Sequence, residues 1–447
     1  MNKDMLYKLP ASQFSASYPA DIADEIASLP IAQGLEVFQS LEPTLSVSTF
    51  EYLPFPVQAE ILKSLPSDRV AQLLNALSPD DRTGLLQELP TSLVNLLLKY
   101  LSPEERALSL QLLNYPEHSV GRLMTPDYID VKMDWTVKQV LDYIRSHGRD
   151  SETVDVIYVV DDDGHLVDDI RIRQFLFADP KTTVSELSDR KFIALKVDED
   201  EEEAVKIFRK YARSALPVVD ADELLLGIVT FDDIMNVAVN EDTEDIQKIG
   251  GVEALDAPYL NTSLSNLVQK RVVWLIVLFM GELMTASAMG YFEDEIAKAV
   301  VLALFIPLII SSGGNAGSQA STLVIRAMAL GEVTLRDWWR VMRREIVCGL
   351  FLGTALGLIG FFRIFAWSQF SDAYGAHWAL LGTTLFFTLL GVVIWGTVSG
   401  AMAPIILKRL GLDPAVASAP LVATLVDVTG LVIYFTVAMV VLRGTLL

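Results

Sequence analysis

The run PLVATLVDVTGLVIYF, residues 420–435, is apolar except for one carboxylate near its middle, Asp427, flanked by Ala423, Thr424, Thr429 and Gly430. A charge inside hydrocarbon is costly, so such a residue marks function, and the small and hydroxyl neighbours leave room for water. Working outward, similar runs occupy 272–292, 297–325, 345–367, 378–407 and 414–442, each long enough at roughly 20 residues to cross about 30 Å of bilayer. The spacing predicts an α-helical membrane domain of five spans over 271–447. A second mid-span carboxylate, Glu282, sits in FMGELMTAS, residues 279–287.

Charge separates this half from the rest. Residues 263–447 carry 12 Lys and Arg and 10 Asp and Glu; of the totals of 35 and 57, this leaves 23 basic and 47 acidic residues in 1–262. Such an acidic excess repels nucleic acid and anionic lipid and attracts cations. The single cysteine, Cys348, excludes an intrachain disulfide framework and a Cys-rich metal site. No basic start followed by an apolar run, as in a signal peptide, stands in 1–30. Lys270 and Arg271 precede the first span, five arginines (326, 336, 340, 343, 344) fill the second loop, and Lys408 and Arg409 fill the fourth. By the positive-inside rule the acidic half is cytoplasmic and the C-terminus outside.

The second span reads FIPLIISSGGNAGSQASTLVIRAMALG, residues 305–331. Pro307, Gly313, Gly314 and Gly317 among Ser, Asn and Gln predict a broken helix at its cytoplasmic end, tolerated only where it lines a cavity or is buried in protein. Asn315 and Gln319, four apart, project from one helical face with Ser312 above them. Glycines at 349, 353 and 357, and at 396 and 400, predict close helix packing, within one protomer or else at a dimer seam.

In the acidic half, leucines at 29, 41, 53, 65, 77, 89 and 101 each precede a proline by one or two positions. Proline stops one helix and opens the next, so the twelve-residue unit is one short helix, and the whole predicts an all-α superhelical solenoid over 1–118. From Ser119 short strands take over, and VVDDDGHLVDDIRIRQFL (159–176) aligns without gaps, at an offset of 59, with VVDADELLLGIVTFDDIM (218–235). Two like strand–turn–strand–helix modules follow from that repeat, an α/β pair over 119–240.

The segments GRLMTPDYIDVKMDWTV and ALPVVDADELLLGIVTFDDI resemble a tandem CBS pair, a module that commonly senses adenosine nucleotides. The resemblance implies ATP or another adenosine nucleotide as ligand, with Thr230 and Asp233 at the ribose-contacting positions. The first copy has Arg171 and Gln174 there, and Asp168 where Gly227 stands in the second. Taken with GGNAGSQAST and LVDVTG in the second and fifth spans, the order of solenoid, CBS pair and five spans resembles the MgtE family of magnesium channels and transporters, over nearly the whole chain.

That resemblance implies a homodimer in the plasma (inner) membrane, with a pore between protomers built from the second and fifth spans and Asp427 as ion ligand. Asn315, Gln319, Ala423, Thr424 and Glu282 are the pore-lining candidates. It also implies a connecting helix over 241–270 and regulatory Mg2+ ligands at Asp200, Glu202, Asp233, Glu241, Glu244 and Asp245. Ala212, Asn236 and Ala419 depart from residues the family often has, and Asp198, Glu201 and Glu203 are neighbouring acids for the regulatory role. Physical chemistry agrees: Mg2+ sheds water reluctantly and needs few, strong carboxylates, and carboxylates on neighbouring domains repel until a divalent cation bridges them. High cytosolic Mg2+ would then favour a closed state. Three other readings remain at this stage: a transporter of Co2+, Ni2+ or Mn2+, a Mg2+ sensor without transport, and an intramembrane enzyme using Glu282 and Asp427 as an acid–base pair. No GxxxxGK[ST] motif occurs.

Overall fold

The computed structural model describes residues 18–255, 259–260 and 262–445. The chain divides into two compact units, with the division between Val239 and Asn240.

The first unit opens with eight helices: α1 Pro19–Ser28, α2 Ile31–Ser40, α3 Pro43–Glu51, α4 Phe55–Ser64, α5 Ser67–Ala76, α6 Pro79–Gln87, α7 Thr91–Leu97 and α8 Pro103–Leu113. Each begins twelve residues after the one before. Proline sets that period: Pro19, Pro43, Pro79 and Pro103 take the first helical position, where a missing N–H costs nothing, and Pro30, Pro54, Pro66 and Pro90 stand just ahead of it. Leu29, Leu41, Leu65 and Leu77 end their helices in extended backbone. Five of the periodic leucines, 41, 53, 77, 89 and 101, are buried with Phe38, Phe50, Ile61 and Leu74. Within this region one cation is fully buried. Arg82 donates to Ser109 Oγ (3.0 Å) and to the carbonyls of Leu74 and Leu77 (3.1 Å each), and pairs with Glu105.

The repeat of 59 is kept in three dimensions by the last two strands and the helix start of each copy, while the first strand and first helix are offset by 64. After α9 (Val120–Leu123), strand β1 (Asp130–Lys132), helix α10 (Val137–His147) and strands β2 (Val156–Val160) and β3 (Leu166–Arg171) lead to α11 (Ile172–Phe177). After α12 (Val184–Leu187), β4 (Leu195–Lys196), α13 (Glu201–Tyr211), β5 (Ala215–Val219) and β6 (Leu225–Thr230) lead to α14 (Phe231–Ile249). Each sheet pairs its first strand parallel and its last antiparallel to the middle one, with the same register shift at 159/160 and 218/219. The copies are joined by hydrogen bonds from Leu166 N to Glu223 O (3.0 Å) and from Leu225 N to Gly164 O (3.2 Å).

The second unit holds α15 (Leu264–Tyr291), α16 (Glu293–Lys298), a 3-10 turn over Val300–Phe305, α17 (Ile306–Ala329), α18 (Trp338–Ser368), α19 (Trp378–Arg409) and α20 (Ala419–Val441). Five helical stretches are long and apolar enough to cross a membrane: Leu264–Tyr291, Val300–Ala329, Leu335–Ser368, Tyr374–Arg409 and Ala419–Val441. The glycine rows do pack helices within the protomer. A Cβ on Gly349, Gly353 or Gly357 of α18 would come within 2.9 Å of α19, at Ile394, Leu390 and Phe386.

Two expectations are corrected. The segment around 313–317 is not broken, because α17 runs as one continuous helix through it, and the glycines lie in its middle rather than at an end. A glycine costs a helix only about 1 kcal/mol, less than leaving backbone groups unpaired in hydrocarbon. Pro307 falls in the first turn, where it removes no bond. The glycines serve contact instead: a Cβ on Gly396 of α19 would lie 2.5 Å from the Gly313 carbonyl, and one on Gly400 would overlap that of Gly317. Likewise 241–270 is not one helix. Its first part completes α14, which ends at Ile249; Gly251 then turns the chain at φ 73°, and α15 starts at Leu264. Residues 256–258 and 261 of that stretch lie outside the described residues.

Candidate ion path and acidic cluster

Asp427 lies on α20 one turn after Ala423, and both face α17 at Gly314. A Cβ added there would sit 3.4 Å from that of Ala423 and 3.8 Å from Asp427 Oδ1. Glycine therefore leaves the flank of the carboxylate clear. On the same helix Asn315 and Gln319 are exposed, while Gly313, Gly314, Ala316 and Gly317 are buried against α19 and α20. Asn315 reaches only back along its own helix, donating to Ser311 Oγ at 3.4 Å. Ser318 and Ser321 tie α17 to the start of α20 by donating to the carbonyls of Ala419 (3.1 Å) and Ala417 (2.7 Å). Thus Ala419 contributes a carbonyl already in use. Thr424 packs toward α15, where a Cβ on Gly281 would lie 2.6 Å from its methyl. That approach sets the neighbouring Glu282 carboxyl within hydrogen-bonding reach of Asp427. Thr429 points elsewhere and accepts from Trp395 Nε1 at 2.7 Å.

A second concentration of carboxylates occupies the first unit. Glu51 at the end of α3, Asp80 and Asp81 in the first turn of α6, Asp127 after α9, Glu152 ahead of β2, and Asp232 and Asp233 in the first turn of α14 repel one another. Burial first, then these neighbours, push Glu51 and Glu152 up to about 7, Asp80 to about 6 and Asp233 to about 8. The same causes raise Asp81 and Asp127. Asp80 is 8 % exposed, and its Oδ1 is buried with no hydrogen-bond partner. No cationic side chain makes an ion pair with these carboxylates among the described residues. Of the six residues expected to bind regulatory metal, only Asp233 belongs to this group.

The other five make different contacts or stand apart from it. Asp200 caps α13, accepting from Glu202 N at 2.8 Å, and Glu202 pairs with Lys206 at 3.3 Å. Acids favoured by a helix start account for both. Glu241, Glu244 and Asp245 lie along α14, and Glu244 pairs with Lys248, which also reaches Asp413 at 2.6 Å in the loop before α20. Asp242 pairs with Arg326 at the end of α17, at 3.0 Å. Sequence reasoning passed over Glu51, Asp80, Asp81, Asp127 and Glu152, because they come from four separate stretches and only folding brings them together. The i, i+4 spacing of Glu244 and Lys248 was the one available signal for the pairs on α14.

The clefts of the two like modules differ. In the second, Thr230 Oγ1 donates to Asp233 at 2.6 Å. Gly227 is needed there because a Cβ would lie 2.7 Å from the Thr125 carbonyl, to which Ile228 is bonded. Asp168 occupies that position in the first copy, buried and accepting from Ser188 Oγ (2.5 Å) and Arg190 N (3.1 Å). The first-copy cleft, about 420 Å³, is lined by Arg171, Gln174, Lys191, Tyr211 and an Arg213 held by Asp169 at 3.2 Å.

Comparison with known proteins agrees with this architecture. Residues 306–437 match the MgtE family described as divalent cation transporters, 17–118 match the MgtE intracellular N domain, and 120–183 and 184–240 match CBS domains. A Thermus thermophilus protein named magnesium transporter MgtE is 38% identical over 436 residues, covering 92% of this chain and 95% of the relative. A Bacillus subtilis protein of the same name is 33% identical over 73% of this chain and 70% of its own. The crystal structure of the cytosolic domain of the Mg2+ channel MgtE with ATP is similar at 33% identity and a TM-score of 0.49, covering 51% of this chain and 93% of that one. Members of this family are transporters and channels, not enzymes, so the carboxyl pair at Glu282 and Asp427 is not an acid–base catalyst. Family models that match the N domain, both CBS modules and the membrane segment, and a relative 38% identical over 92% of the chain, show that the chain belongs to the MgtE family, as a multi-pass membrane protein.

Proposed function

We propose that the chain conducts Mg2+ inward through a pore at the interface of a homodimer, lined by Asp427, Asn315, Gln319 and Ala423. The observation that carries this reading is the exposure of Asn315 and Gln319 halfway along an apolar helix, beside the clear flank of Asp427. Amides and a carboxylate at that depth do not face lipid; they face water or a second copy of the chain. A two-fold axis beside α17 and α20 supplies one Asp427 from each protomer, which suits an ion that keeps much of its hydration shell. The membrane potential is sufficient drive, since a divalent cation gains roughly 4.6 kcal/mol per 100 mV. On this reading the soluble half is cytoplasmic, the C-terminus lies outside, and the membrane is the plasma (inner) membrane.

Regulation follows from the acidic cluster. Without a cation it holds mutually repelling carboxylates, Asp80 among them buried, that make no ion pair among the described residues; Mg2+ held by Asp233, Asp80, Asp81, Glu51 and Glu152 relieves that repulsion and favours the conformation in which they converge. We take that conformation as the closed one. Asp233 then belongs to metal rather than to ribose, and an adenosine nucleotide, if the CBS pair holds one, has Thr230 as its remaining contact. Glu241, Glu244 and Asp245 on α14 stay in the regulatory set, and Asp200 and Glu202 act as a helix cap and an ion-pair partner.

Influx into proteoliposomes carrying a Mg2+-sensitive dye tests the reading, with the intact protein set against Asp427→Ala and with Ca2+, Co2+ and Ni2+ assayed separately. Influx that prefers Mg2+ and disappears in a folded Asp427→Ala variant is expected. Equal influx in that variant removes Asp427 from the path. Preference for Co2+ or Ni2+ makes the chain a transporter of another divalent cation, and no influx at an inside-negative potential makes it a sensor.

A further inference from the structure

We infer that Glu282 is a second ion-contacting carboxylate of the pore, so that each protomer offers two carboxyl groups, from α15 and α20, to the passing divalent cation. This rests on the pore reading above. The juxtaposition is built by packing: none of the residues of α15 is buried, and the helix packs along α20, where Gly281 meets Thr424 so closely that an added Cβ would be 2.6 Å from its methyl. The next residue, Glu282, is thereby set against Asp427, one turn further along α20, within hydrogen-bonding reach. Glu282 is exposed and Asp427 half-buried, and neither makes an ion pair with a Lys, Arg or His among the described residues.

Two carboxyl groups brought together from two helices offer oxygen ligands to one site, the donor type that hard divalent cations take. The side chains around the pair leave room for a cation. Gly314 keeps one flank of Asp427 open, and on α17 the exposed amides of Asn315 and Gln319 stand on the side that faces away from the protomer core. A second carboxylate raises the charge count of the site, which is how oxygen-ligand sites raise their affinity for divalent cations and reject monovalent ones. Asp427 alone would hold a hydrated Mg2+ weakly; with Glu282 the site carries enough negative charge to favour a divalent over K+ or Na+.

The experiment is Mg2+ influx and reversal potential for the full-length protein in proteoliposomes, with Glu282→Gln, Glu282→Asp and Asp427→Asn. Glu282→Gln keeps shape and removes charge; Glu282→Asp keeps charge and changes shape. An ion contact predicts that Gln raises the half-saturating Mg2+ concentration about tenfold and shifts the reversal potential toward monovalent permeation, while Asp stays within about threefold of the original. Unchanged half-saturation and selectivity in a folded Gln variant, with Asp427→Asn inactive, overturns the inference and leaves the pore reading standing. Loss of the monodisperse folded protein in both Glu282 variants also overturns it, in favour of a structural carboxyl. Influx indifferent to Asp427→Asn overturns both readings together.

Discussion

Acidification from pH 8 to pH 6 is expected to weaken Mg2+ binding at the acidic cluster, and binding at pH 7 to release protons. Glu51 and Glu152 stand at about 7, Asp80 at about 6 and Asp233 at about 8, with burial the largest cause in each and neighbouring carboxylates next. A cation bound by carboxylates must first displace their protons. A group at about 7 is about nine-tenths protonated at pH 6 and about one-tenth at pH 8, so each such ligand weakens the apparent affinity about tenfold over that interval, and two do so about a hundredfold. The effect on stability has the opposite sign for the cation-free fold. Because the folded values are raised, the unfolded chain loses its protons first; stability is therefore fullest below about pH 4 and falls as pH climbs to about 8. Calorimetric titration of Mg2+ into the intact protein in detergent at pH 7, in two buffers of different ionisation heat, reads the protons released. At least one per ion is expected, fewer in Asp80→Asn or Glu51→Gln. Equal affinity at pH 6 and pH 8 with no buffer dependence would refute the reasoning.

Three further outcomes are open to direct measurement. Arg82→Ala leaves the Leu74 and Leu77 carbonyls and Glu105 without their donor and should cost about 3 kcal/mol, seen as loss of resistance of residues 18–118 to limited proteolysis. Gly396→Ala and Gly290→Ala should differ in sign: the first drives a methyl into the Gly313 carbonyl and lowers the melting temperature, while the second, on α15 with nothing within 4 Å, gains about 1 kcal/mol of helix propensity and raises it. Ala212 ends α13 in left-handed backbone at φ 49°, so Ala212→Gly should stabilise the protein by about 1 kcal/mol, read as a small upward shift in thermal unfolding.

The sequence by itself determined everything whose signal is local. Proline every twelve residues fixes where helices stop and start, because a residue without an N–H and with a fixed φ fits only the first turn or the gap. The 59-residue repeat maps strand onto strand since each copy carries the same wholly buried apolar strand, turn and second strand at matching positions. Five runs of hydrocarbon length have to be helices, and Asp427 is conspicuous within the last of them because charge is rare there. Tertiary structure decided what depends on partners distant in sequence. Whether GGNAG breaks or bends a helix cannot be told from glycine content, since the answer lies in the 2.5 Å gap to Gly396 and in the bilayer's demand that backbone bonds close. The acids in DEDEEE, conspicuous as a run, include a helix cap and an ion pair, while the carboxylates that repel one another come from α3, α6, two loops and α14. Charge composition announces that cations will be attracted; only the convergence of chain segments fixes where, because a carboxylate's pKa and its use for a metal follow from burial and neighbours rather than from its place in the sequence.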